Sequence, residues 1–310
     1  MSDTMTVISQ DQLGGPEVLH STQAPVPAPG MSQILIKVHA AGVNPIDATN
    51  RQTGMFLGRP PFVLGWDVSG TVAAVGLGVT THRVGDEVFG MLPFPQGHGA
   101  YAEYAVAPAR LFVPKPDRLT HVEAAALPLA GLTAWQALAE TAQVGAGTRV
   151  LINGAAGGVG HLAVQIAKHL GAHVTAVVSG PNADFARSLG ADEVIDRTKS
   201  DYTADVRDLD VVLDTTGSDP LPAFATLRSG GVFVTLAPRT LAGTGEEAER
   251  RGIRTAGPLV EADRLGMTTI ADLADTKQLA VTVEATYPLA EAGKAQSTKP
   301  GRGKAVLVAA

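Results

Sequence analysis

The sequence predicts an α/β protein in which a doubly wound parallel sheet is joined to a second, β-rich domain. Residues 149–179 read as strand, glycine turn, helix and second strand, which is the order of a dinucleotide-binding βαβ unit. Further strand-like runs then alternate with helical segments, as a parallel sheet requires. The first 120 residues instead show short strand patterns with frequent Gly and Pro and few helical periods.

The β-rich part is expected to give way to the second domain after about residue 120. Residues 121–140 have an alanine-rich helical pattern that Pro128 and Gly131 interrupt. Strands are expected before that point where apolar and polar residues alternate or glycines punctuate an apolar run: residues 34–40, 68–76 and 84–90.

The βαβ unit contains the candidate phosphate-binding loop. The apolar run 149–153 stops at residues 154–160 (GAAGGVG), and a helix follows. A pyrophosphate can rest on a helix N-terminus only if the backbone there can be approached closely. Gly157 is expected to supply that approach, and Gly160 to let the helix pack against the strand. Ala155 stands at the first glycine of the usual fingerprint. One apolar helical face is formed by Val159, Leu162, Ala163, Ile166, Ala167 and Leu170.

The end of the second strand, residues 173–178, bears on the choice of dinucleotide. An acidic residue at this position would hold the ribose 2′-hydroxyl of NAD, but Ser179 stands here. A neutral residue does not repel a 2′-phosphate, so NADPH is favoured over NADH. No Arg or Lys follows directly. Arg197, after the third strand, is the nearest candidate phosphate partner, and the alternative interpretation is an ordinary surface arginine.

The rest of the chain continues the parallel sheet and then returns to the first domain. Strands are expected at residues 193–196, 209–214 and 231–236. Residues 215–217 follow a strand and would lie at the ligand-binding edge of the sheet, although a simple polar turn is the alternative. Strand-like residues 279–283 and 304–308 could rejoin the β-rich domain. The predicted divisions are 1–122, 123–262 and 263–310.

Composition excludes several classes of partner and chemistry. The net charge of −6, with no basic block, argues against nucleic acid. No apolar run approaches the length of about 18 residues that suggests a membrane span. Residues 1–6 lack a basic region and an apolar core, so we expect a cytoplasmic protein. With no cysteine there can be no disulfide, thiolate nucleophile or thiolate-bound metal. The eight histidines show no ligand spacing, so no metal is expected.

Several separated motifs occur in a specific order: residues 41–47 (AGVNPID), 64–70 (LGWDVSG), 99–104 (GAYAEY), 127–134 (LPLAGLTA), 155–160 (AAGGVG) and 189–192 (LGAD). In this order they resemble the zinc-independent quinone oxidoreductase branch of the medium-chain dehydrogenase/reductase superfamily, over nearly the whole chain. Residues 64–70 occupy the place where zinc-dependent alcohol dehydrogenases keep Gly-His-Glu. The resemblance implies a GroES-like domain for the substrate and a Rossmann domain for NADPH, with a cleft between them. It also implies a homodimer formed through edge strands, with residues 231–236 near the interface.

The resemblance also implies roles for single residues. The candidate catalytic residues are Asn44, Asp47 and Thr49, and Thr49 stands where several relatives have an aromatic residue. Asn44 would lie near the nicotinamide ribose and Thr133 near the carboxamide. The remaining cofactor contacts would be Ala156, Gly157, Gly158 and Val159 at the pyrophosphate, Ser179 and Arg197 at the 2′-phosphate, and Thr216 and Leu236 at the ribose and nicotinamide.

Three functions remain open. Quinone reduction suits a reductase without a metal, because the product is a weakly basic phenolate-type anion that needs no strong acid. Reduction of an α,β-unsaturated carbonyl forms an enolate and calls for a proton donor, for which Asp47, Thr49 and Tyr101 are candidates. Asp47 could instead be a loop-capping carboxylate, and Tyr101 a packing residue. The third alternative is an NADPH-binding protein with little turnover.

Overall fold

The computed structural model describes residues 4–298 and 300–309, and within these residues the chain forms three sheets. One sheet has six parallel strands, one has seven largely antiparallel strands, and a small one has three. The predicted combination of a doubly wound parallel sheet with a β-rich domain is therefore confirmed. Among the described residues no helix has the length and apolar character of a membrane span.

The N-terminal part is β-rich, as the sequence indicates. The first two strands and the fourth form the small sheet, while the third runs through the large sheet and pairs with the fifth. Its elements are β1 (Thr4–Gln10), β2 (His20–Pro25), β3 (Gln33–Val43), α1 (Pro45–Thr53), β4 (Phe62–Val63), β5 (Asp67–Val75), β6 (Glu87–Met91), β7 (Tyr104–Pro108) and β8 (Phe112–Pro114).

Two short helices, α2 (His121–Ala125) and α3 (Pro128–Trp135), lead into the second domain, and a π-helical turn follows them. The predicted break at Pro128 is present, because proline favours the first turn of a new helix. The predicted interruption at Gly131 is wrong. This glycine lies inside α3, where a Cβ would stand 3.0 Å from the Ile270 side chain, so it serves close packing.

The parallel sheet has the strand order β11-β10-β9-β12-β13-β14. This is the doubly wound order, in which the chain changes direction between β9 and β12 and ligands bind at the carboxyl ends of the strands. Its elements are β9 (Arg149–Asn153), α4 (Gly160–His169), β10 (His173–Val178), α5 (Ala183–Ser188), β11 (Glu193–Asp196), α6 (Tyr202–Asp205), β12 (Leu209–Asp214), α7 (Pro220–Phe224), β13 (Leu227–Thr235), α8 (Gly245–Arg251) and β14 (Arg254–Ala256).

The edge of this sheet differs from the expectation for residues 231–236. Those residues lie mostly in β13, which pairs with β12 on one side and with β14 on the other. β13 is therefore one strand in from the edge, and β14 occupies the edge itself. β14 has only three residues and no clear pattern in the sequence. The dimer interface near residues 231–236, which the resemblance implies, stays a prediction.

The C-terminal part returns to the first domain through α9 (Arg264–Asp275), β15 (Val283–Pro288), α10 (Ala292–Ser297) and β16 (Lys304–Val308). β16 pairs antiparallel with β3, as the sequence suggests. The predicted strand at 279–283 is wrong, since only Val283 of that run is in a strand. Residues 280–282 instead bond to α4 side chains: Ala280 exchanges two hydrogen bonds with Gln165, and the Thr282 N–H donates to His161 Nε2.

Candidate active site

The glycine loop, residues 154–160, connects β9 to α4 at the carboxyl edge of the parallel sheet. Gly154 has φ +82°, and a Cβ on it would lie 2.4 Å from Thr215 Oγ1. A Cβ on Gly160 would lie 2.2 Å from the carbonyl oxygen of Gly154, which confirms tight packing of the helix on the strand end. A Cβ on Gly157 would meet only that same carbonyl oxygen, at 3.4 Å, so space above Gly157 is open.

The first turn of α4 offers unpaired donors. Among the described residues, the backbone N–H groups of Gly158, Val159 and Gly160 donate to no other residue. Helix N-termini leave such groups free and place partial positive charge there, so they bind anions. The helix is ten residues long, and residues 157–159 are half-exposed. The loop therefore fits the pyrophosphate of a dinucleotide.

Asp214, at the end of β12, joins two predicted cofactor contacts to this loop. Its buried carboxylate accepts hydrogen bonds from Asn153 Nδ2 at 3.0 Å and from Thr216 Oγ1 at 2.7 Å. Its carbonyl oxygen accepts from the Leu236 N–H at 3.0 Å. Thr216 and Leu236 are thus brought to the same edge of the sheet as the glycine loop. The sequence predicted no site role for Asp214 or Asn153, although both are polar residues that end predicted strands.

The end of β10 has a mixed electrostatic environment. Ser179 is half-buried directly after the strand, and Arg197 follows the neighbouring strand β11 with an exposed side chain. The structure also brings Asp196 here: a Cβ on Gly180 would lie 2.5 Å from its Oδ2. The Lys199 ammonium stands 3.7 Å from the same oxygen. The site is therefore less neutral than Ser179 alone suggests, and a bound phosphate would need cations to offset Asp196.

Asn44 is held from three sides at the start of α1. Its backbone N–H donates to Asp47 Oδ2 at 2.7 Å, and its Nδ2 donates to Asp67 Oδ2 at 2.8 Å. Its Oδ1 accepts from the Lys304 ammonium. The side chain is 3% exposed, so its amide has one fixed orientation.

Lys304 is a further functional candidate that the sequence did not reveal. It begins β16, and its ammonium also donates to the Val43 carbonyl oxygen at 2.9 Å and stands 3.8 Å from Asp67 Oδ2. A Cβ on Gly158 would lie 3.0 Å from Lys304 Cδ, so the lysine stem passes beside the glycine loop. Burial lowers the pKa of Lys304 and raises that of Asp67, and each charge opposes the shift of the other. We call Asn44, Asp67 and Lys304 the buried polar cluster.

The buried polar cluster extends to the helix that contains Thr133. Asp67 Oδ1 accepts from the Leu129 N–H, in the first turn of α3, at 2.7 Å. Thr133 Oγ1 donates to the Leu129 carbonyl oxygen at 2.6 Å and is half-buried. Asp67 therefore ties together α1, α3 and β16. The sequence placed Asp67 within the resembling motif but gave it no role, because its partners lie far along the chain.

Asp47 and Tyr101 form a second buried pair. Tyr101 Oη donates to Asp47 Oδ2 at 2.9 Å, and both residues are fully buried. Asp47 Oδ1 has no partner among the described residues. Burial raises the pKa of Asp47 to about 7. Thr49 is not part of this pair, since its Oγ1 donates to the Pro45 carbonyl oxygen at 3.2 Å.

The raised pKa of Asp47 predicts a pH-dependent stability. The folded protein keeps a proton on Asp47 up to about pH 7, whereas the unfolded chain releases it near pH 4. Stability should therefore fall as pH rises through this window, by about 1.4 kcal/mol per pH unit, and then level off. Asp47→Asn resembles the protonated form and should lose this component. Urea unfolding of both proteins at pH 5, 6, 7 and 8 measures it; a constant difference between them would contradict the assignment.

Comparison with protein families supports the resemblance that the motifs indicated. Residues 30–117 match the alcohol dehydrogenase GroES-like domain family, and residues 158–251 match the zinc-binding dehydrogenase family. Within the described part of the chain, no group of three or more His, Cys, Asp or Glu side chains could hold a metal ion. That this protein uses no metal stays a prediction.

Similar proteins cover different shares of the chain. The chloroplast envelope quinone oxidoreductase homolog of Arabidopsis thaliana is 44% identical over 192 residues, which is 59% of this chain and 58% of that protein. The trans-enoyl reductase pgmF of Aspergillus terreus is 40% identical over 199 residues, 61% of this chain and 56% of that protein. The chain thus spans less than two thirds of the length of these curated relatives.

A solved structure covers nearly all of the fold. The quinone oxidoreductase from Coxiella burnetii is 35% identical, with a TM-score of 0.91, over 98% of this chain and 99% of that one. An identity of this size over both whole chains, together with the two matching family domains, goes beyond a shared fold. This chain belongs to the medium-chain dehydrogenase/reductase superfamily, in its quinone oxidoreductase branch.

Proposed function

We propose that this protein is an NADPH-dependent oxidoreductase that reduces quinones. The observation that carries the proposal is the glycine loop, whose three open N–H groups lie beside the buried polar cluster of Asn44, Asp67 and Lys304. Bound NADPH would supply a hydride. The names of the relatives support an oxidoreductase of the quinone or enoyl type.

The chain's own residues would position the two reactants. The first turn of α4 would bind the pyrophosphate, and Asn44 would be held in one orientation at the nicotinamide ribose. A cavity of about 350 Å³ lies between two loops and is lined in part by Phe94, Leu111 and Val260. The Phe94 ring centroid is 5.1 Å from that of Trp66, the neighbour of Asp67. This open cavity has both apolar and polar lining residues and could admit a flat quinone, for which catalysis is largely a matter of positioning.

Reduction of an enone is the second candidate, and the relationship to a trans-enoyl reductase favours it. That reaction forms an enolate, which calls for a proton donor near the acceptor. Asp47 and Tyr101 are fully buried and bond to each other, and Thr49 donates to its own helix. The Tyr101 and Thr49 hydroxyl groups thus donate elsewhere, and Asp47 is fully buried, which supports a quinone over an enone as acceptor.

The test is oxidation of NADPH and of NADH by the purified protein, offered first a simple quinone and then an aliphatic enone. We expect faster loss of NADPH, followed by absorbance at 340 nm, with the quinone. Activity only with the enone would overturn quinone reduction. Tight NADPH binding without loss of absorbance for either acceptor would favour the binding protein with little turnover.

Ser179→Asp should shift the preference of the protein toward NADH. The added carboxylate would repel a 2′-phosphate, and its negative charge would add to that of Asp196, whose Oδ2 faces Gly180. We expect the ratio of the NADPH to the NADH dissociation constant to rise at least tenfold, measured by quenching of protein fluorescence. Ser179→Asn is the control, because it adds similar volume without charge. An unchanged ratio for Ser179→Asp would exclude Ser179 from the 2′-phosphate site.

The assembly and location of the protein are also proposals. We propose a homodimer in which the exposed edge strand β14 of one copy pairs with that of another, since an unpaired edge is a template for strand addition. Light scattering coupled to gel filtration would test it, and a monomer at micromolar concentration would contradict it. A cytoplasmic location stays a prediction.

A further inference from the structure

A cation from the far end of the chain lies beside the loop that follows Ser179. Arg302 Nε donates to Asn182 Oδ1 at 2.8 Å, and its Nη2 donates to the Pro181 carbonyl oxygen at 2.8 Å. The guanidinium carbon stands 5.4 Å from the centroid of the Phe185 ring. Arg302 is therefore docked on the nucleotide-binding domain, although it precedes the strand β16 of the other domain.

Asn182 connects this arginine to Ser179. Its Nδ2 lies 3.3 Å from Ser179 Oγ and 3.2 Å from the Gly301 carbonyl oxygen. On the other side, Glu284 Oε2 accepts from the Arg302 N–H at 3.2 Å and so fixes the backbone of this segment. Ser179, Asn182 and Arg302 thus form one hydrogen-bonded row at the end of β10.

The geometry leaves Arg302 able to bind an anion. A guanidinium has five N–H donors, and the two bonds described above use two of them. The side chain is exposed, so the remaining donors can reach a ligand. Its planar fork matches phosphate oxygens, and its charge would offset Asp196 on the other side of the loop.

We propose that Arg302 binds the 2′-phosphate of NADPH and so makes the site selective for the phosphorylated cofactor. The inference rests on the proposed function, because it presupposes that the end of β10 receives the adenosine ribose. Arg302 would supply the positive charge that the sequence lacks directly after Ser179. It also makes the cofactor preference depend on contact between the two domains.

The experiment measures binding of 2′,5′-ADP and of 5′-AMP to the full chain by isothermal titration calorimetry, so it needs no turnover. Wild-type protein should bind 2′,5′-ADP more tightly than 5′-AMP. Arg302→Ala should weaken 2′,5′-ADP binding tenfold or more and leave 5′-AMP binding unchanged. The affinity of Arg302→Lys for 2′,5′-ADP should lie between those of the wild type and Arg302→Ala. Arg187→Ala is the matched control, because Arg187 is an exposed arginine on α5 that pairs with Asp184 at 2.7 Å.

The outcomes separate the two proposals. Tighter binding of 2′,5′-ADP by wild type that persists in Arg302→Ala would overturn the role of Arg302 and leave the NADPH preference intact. Equal binding of both ligands by wild type would overturn the NADPH preference itself, and the role of Arg302 with it. A parallel loss of 5′-AMP binding in Arg302→Ala would show that the arginine only holds the loop, which also overturns the proposal.

Discussion

Replacing Gly157 with Asp is expected to weaken NADPH binding at least a hundredfold. Gly157 lies in the half-exposed part of the loop, before the open N–H groups at the start of α4. A carboxylate here would stand within a few ångströms of a bound pyrophosphate. Two unit charges about 4 Å apart repel by about 4 kcal/mol at the effective dielectric constant of a protein surface, and tenfold in affinity is about 1.4 kcal/mol.

The fold should survive this substitution, which keeps the result interpretable. A Cβ on Gly157 meets only the Gly154 carbonyl oxygen, at an ordinary 3.4 Å. Gly157→Asn is the matched control, since it has nearly the same shape and no charge, and it should retain much more affinity. Fluorescence titration with NADPH measures both variants. Equal affinity of Gly157→Asp and wild type would show that the pyrophosphate does not bind at this loop.

The sequence could predict the glycine loop because its signals are local. The strand, the small residues and the helical face follow one another within residues 149–170, and the structure has β9 and α4 there. The strand-terminal position of Ser179 follows from the same local pattern. These features depend on backbone conformation and on side-chain periodicity, both of which are written in neighbouring residues.

The partners of the site residues could not be predicted in the same way. Lys304 bonds to Asn44, which lies 260 residues earlier in the sequence, and Arg302 bonds to Asn182, which lies 120 residues earlier. In the sequence Lys304 is simply the first residue of an apolar strand, where an ordinary exposed lysine is the usual expectation. Only the pairing of β16 with β3 turns its side chain into a buried group beside Asn44.

Residues 302–304 therefore contribute two side chains to the candidate site, those of Arg302 and Lys304. Gly303 donates its N–H to the Ala156 carbonyl oxygen at 2.9 Å, between Arg302 on one side and Lys304 on the other. Arg302 faces the end of β10, while Lys304 faces Asn44 and Asp67. One short segment thus connects the GroES-like domain with both proposed ends of the cofactor.

Replacing Lys304 with Met should destabilise the protein strongly at neutral pH. Met is similar in length but removes the charge from a group that is 3% exposed, and it leaves the fully buried Asp67 without its cation. Removing one partner of a buried ion pair costs about 3–5 kcal/mol, because the other charge stays uncompensated. Urea unfolding at pH 7 measures the loss. Lys199→Met is the control, since the Lys199 side chain is exposed and its 3.7 Å pair with Asp196 should contribute less than about 1 kcal/mol.

A second substitution identifies the cause of this loss. In Lys304→Met, Asp67 can escape the penalty by taking up a proton, because burial already raises its pKa. The difference in stability from wild type should therefore shrink as pH falls from 8 to 5. Adding Asp67→Asn removes the unpaired charge outright, so the double variant should regain at least about 1 kcal/mol over Lys304→Met at pH 7. Additive losses in the double variant would mean that Lys304 stabilises the fold by packing, and that its charge does not act on Asp67.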